Sequence, residues 1–428
     1  MLIYRFLWYY MKLEKENEIA KEEFNLKLNT ETENKTQKKE EEIKENWNEV
    51  CESFDDMNLK VEVLRGIYGY GFESPSNIQQ KAILPVILGK DVIAQAQSGS
   101  GKTGAFVIGT LELIEPCIKE VQVLILAPTR ELAEQIFNVY NFIGEFLKIR
   151  ILNLIGGTKS RENIFELEKG AHVIVGSPGR VLDLMKKGHL KLSYLKNLVL
   201  DEADNLLGKG FLENIKDVIS LIPPEAKINL FSATMPKEVL DLTDKFMKDP
   251  VKILVKNEEV TLEGIKQYYV ALKREWKLET IVALYKGLDI AQAIIFCNSI
   301  FSAIELTKEM RAYGHMVSTI HSQLVSEERN KVMNEFRSGV TRVLIATDLL
   351  ARGIDVYNIN LVINYDLPKM KETYIHRIGR CGRHGKKGSA INFVLPDEME
   401  NLNEIKNFYS TSIQKLPENL SHINSSMN

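Results

Sequence analysis

Short apolar runs, each followed by a longer amphipathic stretch, constrain this chain more than any other feature of its sequence. From about residue 51 they recur at 92–95, 123–127, 172–176, 198–200 and 228–232, and again at 293–297, 316–320, 342–346, 361–365 and 389–394. Runs of this length bury as strands, and strands alternating with helical stretches build a mainly parallel sheet covered by helices. The two sets predict two α/β domains, each a doubly wound parallel sheet. Ligands of such sheets sit beyond the carboxyl ends of the strands. The chemistry-bearing segments described below all fall at such ends.

Length agrees with this division, since 428 residues exceed the usual size of one hydrophobic core. Segment 249–270, between the two sets, has a charged middle that reads as a connection. The expected organisation is a disordered tail over 1–50, a first domain over 51–252, a linker over 253–263 and a second domain over 264–428. Residues 12–46 are rich in Glu, Lys, Asn and Thr, and bury too little apolar surface to offset the entropy of ordering. Residues 1–50 hold 12 Glu against 9 Lys plus Arg, which leaves the remainder balanced at 46 basic against 46 acidic. There is no global basic footprint, so a nucleic-acid site has to be a local groove.

The opening MLIYRFLWYY is apolar but falls far short of the roughly 20 residues that span a bilayer, and it carries Arg5. It lacks the small-residue cleavage site of a signal peptide, and reads as a loose peptide or as an extension upstream of a start at Met11. No membrane association is expected. Cys51, Cys117, Cys297 and Cys381 lie far apart, which argues against a disulfide framework or a zinc site and for a reducing compartment.

After the run at 92–95 comes AQSGSGKT, close to a phosphate-binding loop but with Ala96 where the strict pattern has Gly. Ala96, Gln97, Ser98, Gly99, Ser100 and Gly101 would wrap phosphate oxygens in backbone amides, with Gly99 and Gly101 allowing the curl. Lys102 supplies a point charge for the β/γ-phosphates, and Thr103 a hydroxyl for Mg²⁺. In LVLDEAD, at 198–204, carboxylates follow a buried strand, where the Mg²⁺-holding acid of such an ATPase stands. Asp201 would hold Mg²⁺, partly through water, and Glu202 would orient and deprotonate the attacking water. These two motifs define an enzyme that acts on a nucleoside triphosphate with Mg²⁺, and little more.

Other segments carry a resemblance. GFESPSNIQ with upstream Phe54, PTREL, Gly156 with Gly157, SPGR, the SAT of Ser232–Thr234, ATDLLARGIDV and HRIGRCGR are together similar to the motif set of the DEAD-box ATP-dependent RNA helicases, from Ser53 to about Ile423. The resemblance implies two RecA-like domains that close on ATP and single-stranded RNA. It implies that Phe54 stacks on adenine and Gln79 reads its edge, an amide being able to bond both N6 and N7. It places RNA on Pro128, Thr129, Arg130, Gly157, Ser177, Gly179, Arg180 and Thr347. Arg380 and Arg383 resemble arginine fingers reaching the γ-phosphate, and Asp355 resembles the residue that binds the ribose. Ser232, Thr234, Gly353 and His376 would couple the domains. No aromatic stacking platform is visible, so recognition should follow the sugar-phosphate backbone whatever the bases. RNA rather than DNA would be the polymer, through its 2′-hydroxyls.

FDDMNL, RGIYGYGF, LFSATMP, TLEGIKQYYV, EFRSG and VINYDLP resemble the eukaryotic translation initiation factor 4A group of this family. That likeness implies short, non-processive unwinding of mRNA leader structure, a scaffold protein of translation initiation as partner, a monomer by itself and a cytoplasmic setting. The alternative is an ATP-gated RNA clamp of the exon-junction or RNA-processing type, with a nuclear setting. Two places depart from the pattern. HSQLVSEER has Ser322 and Ser326 where the family has Gly and Gln, and CNSIFSAIEL carries Ile300, Phe301 and Ser302 in place of a basic cluster on a strand-end loop.

Overall fold

The computed structural model describes residues 46–47, 49–208, 210–254, 264–348, 356, 358–382, 387–417, 419–420 and 423. The opening apolar peptide, linker residues 255–263, Gly353, Asp355 and Arg383 lie outside the described residues.

Among the described residues fourteen strands form two sheets. The first sheet comprises β1 Val92–Gln95, β2 Val123–Leu126, β3 Ile151–Leu154, β4 Val173–Gly176, β5 Asn197–Asp201, β6 Lys227–Ser232 and β7 Val251–Ile253. The second comprises β8 Ile265–Ala271, β9 Gln292–Phe296, β10 Val317–Ile320, β11 Val343–Ala346, β12 Ile359–Asn364, β13 Gly388–Val394 and β14 Ile413–Lys415. The orders are β3-β4-β2-β5-β6-β1-β7 and β10-β11-β9-β12-β13-β8-β14, and every pairing is parallel. These are one order written twice, with β8 in the place of β1 and each later strand following suit.

All ten expected strands are present, with each end within two residues of the expected one. Strands β3, β7, β8 and β14 were not anticipated, for physical reasons that differ. The edge strand β3 is only half-buried over its first three residues, while β7 and β14 are three residues long. In β8 the sequence IKQYYVA mixes polar and aromatic residues next to the presumed linker. Asn46 and Trp47 also differ from the expected disordered tail, since Asn46 donates its amide to the Lys252 carbonyl at 3.3 Å and Trp47 packs on the first core.

Period-two alternation distributes each central strand between two apolar layers. In β2, Val123 and Ile125 belong to one layer, and Leu124 and Leu126 to the other. In β9, Ile294 and Phe296 face one layer, and Ala293 and Ile295 the opposite one. With both faces covered, each fully buried Val, Leu or Ile contributes about 1.5–3 kcal/mol. This burial holds the strand ends still.

Helix Val61–Tyr70 meets helix Arg130–Ile143 at Gly66, where an added Cβ would stand 1.9 Å from the Ile143 carbonyl oxygen. The obstacle is backbone and has no rotamer by which to retreat. Gly66→Ala is expected to destabilise the first domain by about 1–3 kcal/mol, read as a lower denaturant midpoint. An unchanged midpoint would show that these helices separate freely.

Candidate functional site

The first sheet ends β1 in the loop 96–101, and helix Lys102–Glu112 begins directly after it. Gly99 and Gly101 have φ of +81° and +97°, a region that only glycine enters readily. Lys102 is 9% exposed and donates Nζ to the carbonyls of Ala96 at 2.6 Å and Gln97 at 2.9 Å. The ammonium is thereby held over the loop that a phosphate would fill, while Thr103 follows half-buried in the same first turn.

Gln79 sits at the third position of helix Asn77–Ile87 in a capping box with Ser76. Its Oε1 accepts the Ser76 amide at 2.9 Å and its Nε2 donates to the Gly101 carbonyl at 3.2 Å. One end of the amide thus caps its own helix and the other braces the loop, and a base reads it only by exchanging these bonds. Phe54 is 1% exposed, stacked on Phe72 at 6.4 Å between ring centroids. Phe72 is the ring that borders the helix at Gly104, where an added Cβ would meet it at 3.0 Å. A base reaches the Phe54 ring only after the groups covering it move.

At the end of β5, Asp201 is 4% exposed, and its Oδ1 accepts the Glu202 amide at 3.0 Å. Glu202 has φ +52°, an uncommon conformation for a side chain of its kind, and caps the short helix Ala203–Leu206. Burial, then the neighbouring Glu202 charge, pushes the Asp201 carboxyl up to about 7, against the opposing pull of Lys102. Asp204 accepts from Ser232 Oγ at 2.8 Å and Thr234 Oγ1 at 2.6 Å.

The second domain reaches this cluster through His376, on helix Lys371–Ile378. His376 Nε2 lies 3.0 Å from Asp204 Oδ2 and 3.5 Å from Thr234 Oγ1, and Nδ1 lies 3.5 Å from Glu202 Oε2. Arg380 follows one turn later, 2% exposed, with Nε donating to the His376 carbonyl at 3.1 Å. Ser232, Thr234 and His376 are thus gathered around the acids, and Arg380 is held one turn further along the chain.

A groove of about 480 Å³ is lined by Pro128, Thr129, Arg130, Gly156, Ser177, Gly179, Arg180, Asp183, Phe211 and Arg329. Six of the eight residues expected to meet RNA line it. Gly157 stands beside its wall with φ +85°, and Thr347, at the end of β11 with its amide on the Ile320 carbonyl at 3.4 Å, does not border it. Arg180 is braced by Asn163 Oδ1 at 2.5 Å and the Thr158 carbonyl at 2.9 Å. Burial, then the charge of Arg329, lowers the Arg130 pKa below its ordinary value, with Arg180 acting in the same direction. Three guanidiniums crowded around one groove favour a polyanion that would relieve them.

Arg329 enters this groove from the second domain and bonds Glu131 Oε1 at 3.2 Å, both residues being under a tenth exposed. Neither Glu131 nor Arg329 was assigned a role in this interface from sequence. The signal was present only as a lone Glu after Thr129-Arg130 and an Arg in HSQLVSEER. Asp204 was legible as a carboxylate in LVLDEAD, but its three partners come from distant segments.

Residues 300–302 are not a strand-end loop. Helix Ile300–Ala312 begins there, because Ser299 Oγ caps it by accepting the Ser302 amide at 3.0 Å. Phe301, on that first turn, is 72% exposed. Ser322 belongs to the turn that holds Arg329, its carbonyl accepting Nη2 at 2.8 Å.

The family model described as DEAD/DEAH box helicase matches residues 76–242, and the one described as Helicase conserved C-terminal domain matches residues 276–385. The chain belongs to the DEAD/DEAH box helicase family, and its two sheets are those of two RecA-like domains. It is 54% identical to the "ATP-dependent RNA helicase eIF4A" of Chaetomium globosum over 385 residues, covering 90% of this chain and 97% of that one. It is 53% identical to the "Eukaryotic initiation factor 4A" of Drosophila melanogaster over 382 residues, covering 89% and 95%. Among solved structures, "S. cerevisiae Dbp5 bound to RNA and ADP BeF3" superposes with a TM-score of 0.82 at 36% identity, covering 88% of this chain and 99% of that one.

The raised Asp201 carboxyl has a stability signature. From the usual aspartate value of 3.8 up to about 7, the folded ligand-free protein holds a proton that the unfolded chain has released. The stability from this group is therefore full below about pH 4, falls as pH rises and is gone above about 7. Melting profiles should show Asp201→Asn gaining on the parent between pH 5 and 7.5. Parallel pH profiles would mean that Asp201 ionises normally.

Proposed function

We propose that this protein is an ATP-dependent RNA helicase that hydrolyses ATP to ADP and phosphate while opening short RNA duplexes during translation initiation. One observation carries the reading: both the acid cluster and the basic groove of the first domain are completed by the second, through His376 and Arg329. Closure therefore builds the hydrolytic site and the polymer site together. The names of the initiation factor 4A relatives supply the biological process.

In this reading ATP phosphates occupy the loop 96–101 with Lys102, and Gln79 selects adenine by exchanging its bond to Gly101. Glu202 takes a proton from the attacking water, with its side chain steered by the adjacent His376. Arg380, together with Arg383, neutralises charge at the γ-phosphate, and Asp355 holds the ribose. Thr103 and Asp201 would hold Mg²⁺; a buried acid whose charge is opposed by its surroundings is suited to a cation. Bound there, Mg²⁺ supplies charge neutralisation for the phosphates.

Pro128, Thr129, Arg130, Gly157, Ser177, Gly179, Arg180 and Thr347 contact backbone of single-stranded RNA. Bending the strand in the closed groove is incompatible with a duplex, and each stacking step lost costs about 1–2 kcal/mol. The likeness to initiation factors supports mRNA as substrate, a scaffold protein of initiation as partner, a monomer by itself and work in the cytoplasm. Among the described residues no helix is long and apolar enough to cross a membrane.

ATP turnover measured with uridine-rich single-stranded RNA, with DNA of equal length and without polymer tests the reading, alongside release of a strand from a short duplex. RNA-specific stimulation with strand release is expected. RNA held tightly with ATP but no release would favour the clamp, and indifference to RNA would overturn both. Glu202→Gln should lower turnover by about 10²- to 10⁴-fold with ATP and RNA affinity kept. Lys102→Ala should instead weaken ATP binding itself, and near-normal values in either variant would remove that residue from its role.

A further inference from the structure

Because the two sheets share one strand order, positions in the first domain have counterparts in the second. Helix Lys102–Glu112 follows β1 and opens on the lysine of the phosphate loop; helix Lys277–Gly287 follows β8 and also opens on lysine. Register gives a second correspondence. Leu126 pairs with Leu200 and Phe296 with Asn364, and Leu126 and Phe296 each precede a helix-capping residue, Thr129 or Ser299, by the same spacing. Stepping forward equally from Leu200 and Asn364 reaches Glu202 and Asp366. The second domain keeps the lysine and the acid of a nucleotide site.

It does not keep the site. The connection 272–276 has no glycine and forms a 3-10 turn, Arg274–Trp276, where the first domain has its curled loop. Lys277, 3% exposed, donates Nζ to Asp366 Oδ1 at 2.8 Å and to the Tyr365 carbonyl at 2.6 Å. The lysine and acid satisfy each other.

The other Asp366 oxygen accepts the Asn298 amide at 3.0 Å and Ser302 Oγ at 3.4 Å, at the entry to helix Ile300–Ala312. That helix is the counterpart of Arg130–Ile143, whose first residue, Arg130, lines the basic groove. The Asp366 carbonyl accepts Arg377 Nη1 at 2.7 Å. Arg377, fully buried, also bonds Asn298 Oδ1 at 2.7 Å and Asp348 Oδ1 at 2.6 Å, and it is the neighbour of His376 in the chain. Asp366 thus meets, through its carboxylate, Lys277 and the turn that starts helix Ile300–Ala312 and, through its carbonyl, the helix that touches the acids.

We infer that Lys277 and Asp366, relics of a second nucleotide site closed upon themselves, form a positioning pair that transmits RNA contact on the second domain to the acids of the first. The inference rests on the RNA reading above. A buried ion pair adds little net stability over apolar side chains of similar volume, so its place in this network fits a role in fixing one arrangement.

Asp366→Asn breaks the pair, and the double variant Lys277→Met with Asp366→Leu removes both charges, leaving no buried lysine without its acid. Turnover of the full chain is measured against uridine-only RNA, with RNA-free turnover, ATP affinity and melting temperature alongside. In both variants the half-saturating RNA concentration should rise by about fivefold or more, while RNA-free turnover stays within about twofold of the parent. If Asp366→Asn fails to fold, the double variant decides alone. A double variant with parental RNA response would make the pair merely structural and overturn the inference. So would RNA-free and RNA-stimulated turnover falling in proportion. A parent chain that RNA does not stimulate removes the RNA reading itself, and the inference with it.

Discussion

Asp204 is the point on which the two domains agree. Its carboxylate, almost wholly buried, accepts hydrogen bonds from Ser232 and Thr234 of its own domain and stands 3.0 Å from His376 of the other. A buried carboxylate is costly unless donors surround it. Three donors converge here only when β5, β6 and helix Lys371–Ile378 are in place together. Separating the domains would take one of these donors away, so the state of the interface is written into the polar chemistry beside Glu202. The Glu131–Arg329 pair repeats the device at the groove, again between two residues under a tenth exposed.

The repeated strand order explains why these contacts can coincide. Parallel sheets present all carboxyl ends on one edge, and functional loops gather there. Two such edges facing each other put phosphate loop, acids and basic groove of one domain opposite the helices of the other. Divergence then appears at equivalent positions. The first domain has a curled glycine-rich loop whose carbonyls hold Lys102; the second has a glycine-free turn and a lysine bonded to an acid.

Electrostatics distinguishes the acid cluster from the basic groove without any charge imbalance in the folded part. Around Asp201 the excess is negative and dehydrated, which raises its carboxyl towards neutrality and suits a cation. Around Arg130 the excess is positive, with Arg180 and Arg329 adding to it, which suits a chain of phosphates. A protein whose folded part is charge-balanced can thus hold a polyanion, because the field that matters is that of one groove.

Much of this was legible in the sequence, because it depends on local rules. Strand runs such as 123–126 announce themselves when both faces are buried, and Gly99 and Gly101 mark a backbone that must curl. LVLDEAD points to its chemistry by residue type and position after a strand, whereas the reading of HRIGRCGR rests on its resemblance to the family motif. Marginal strands were lost, since β7 and β14 are too short to show a period and β8 is partly polar. The helical start at Ile300 was read as loop, although Ser299 was available as a cap. What the sequence could not determine is which polar groups meet across long separations. Asp204 with His376, Glu131 with Arg329 and Lys277 with Asp366 are pairs chosen by the packing of whole domains. The sequence by itself determined two parallel α/β sheets, a phosphate loop and an acid pair, because these are properties of contiguous segments. Only the tertiary structure decided the partners of the buried charges, because a buried charge is satisfied by whatever group the fold brings within about 3 Å of it, however distant in the chain.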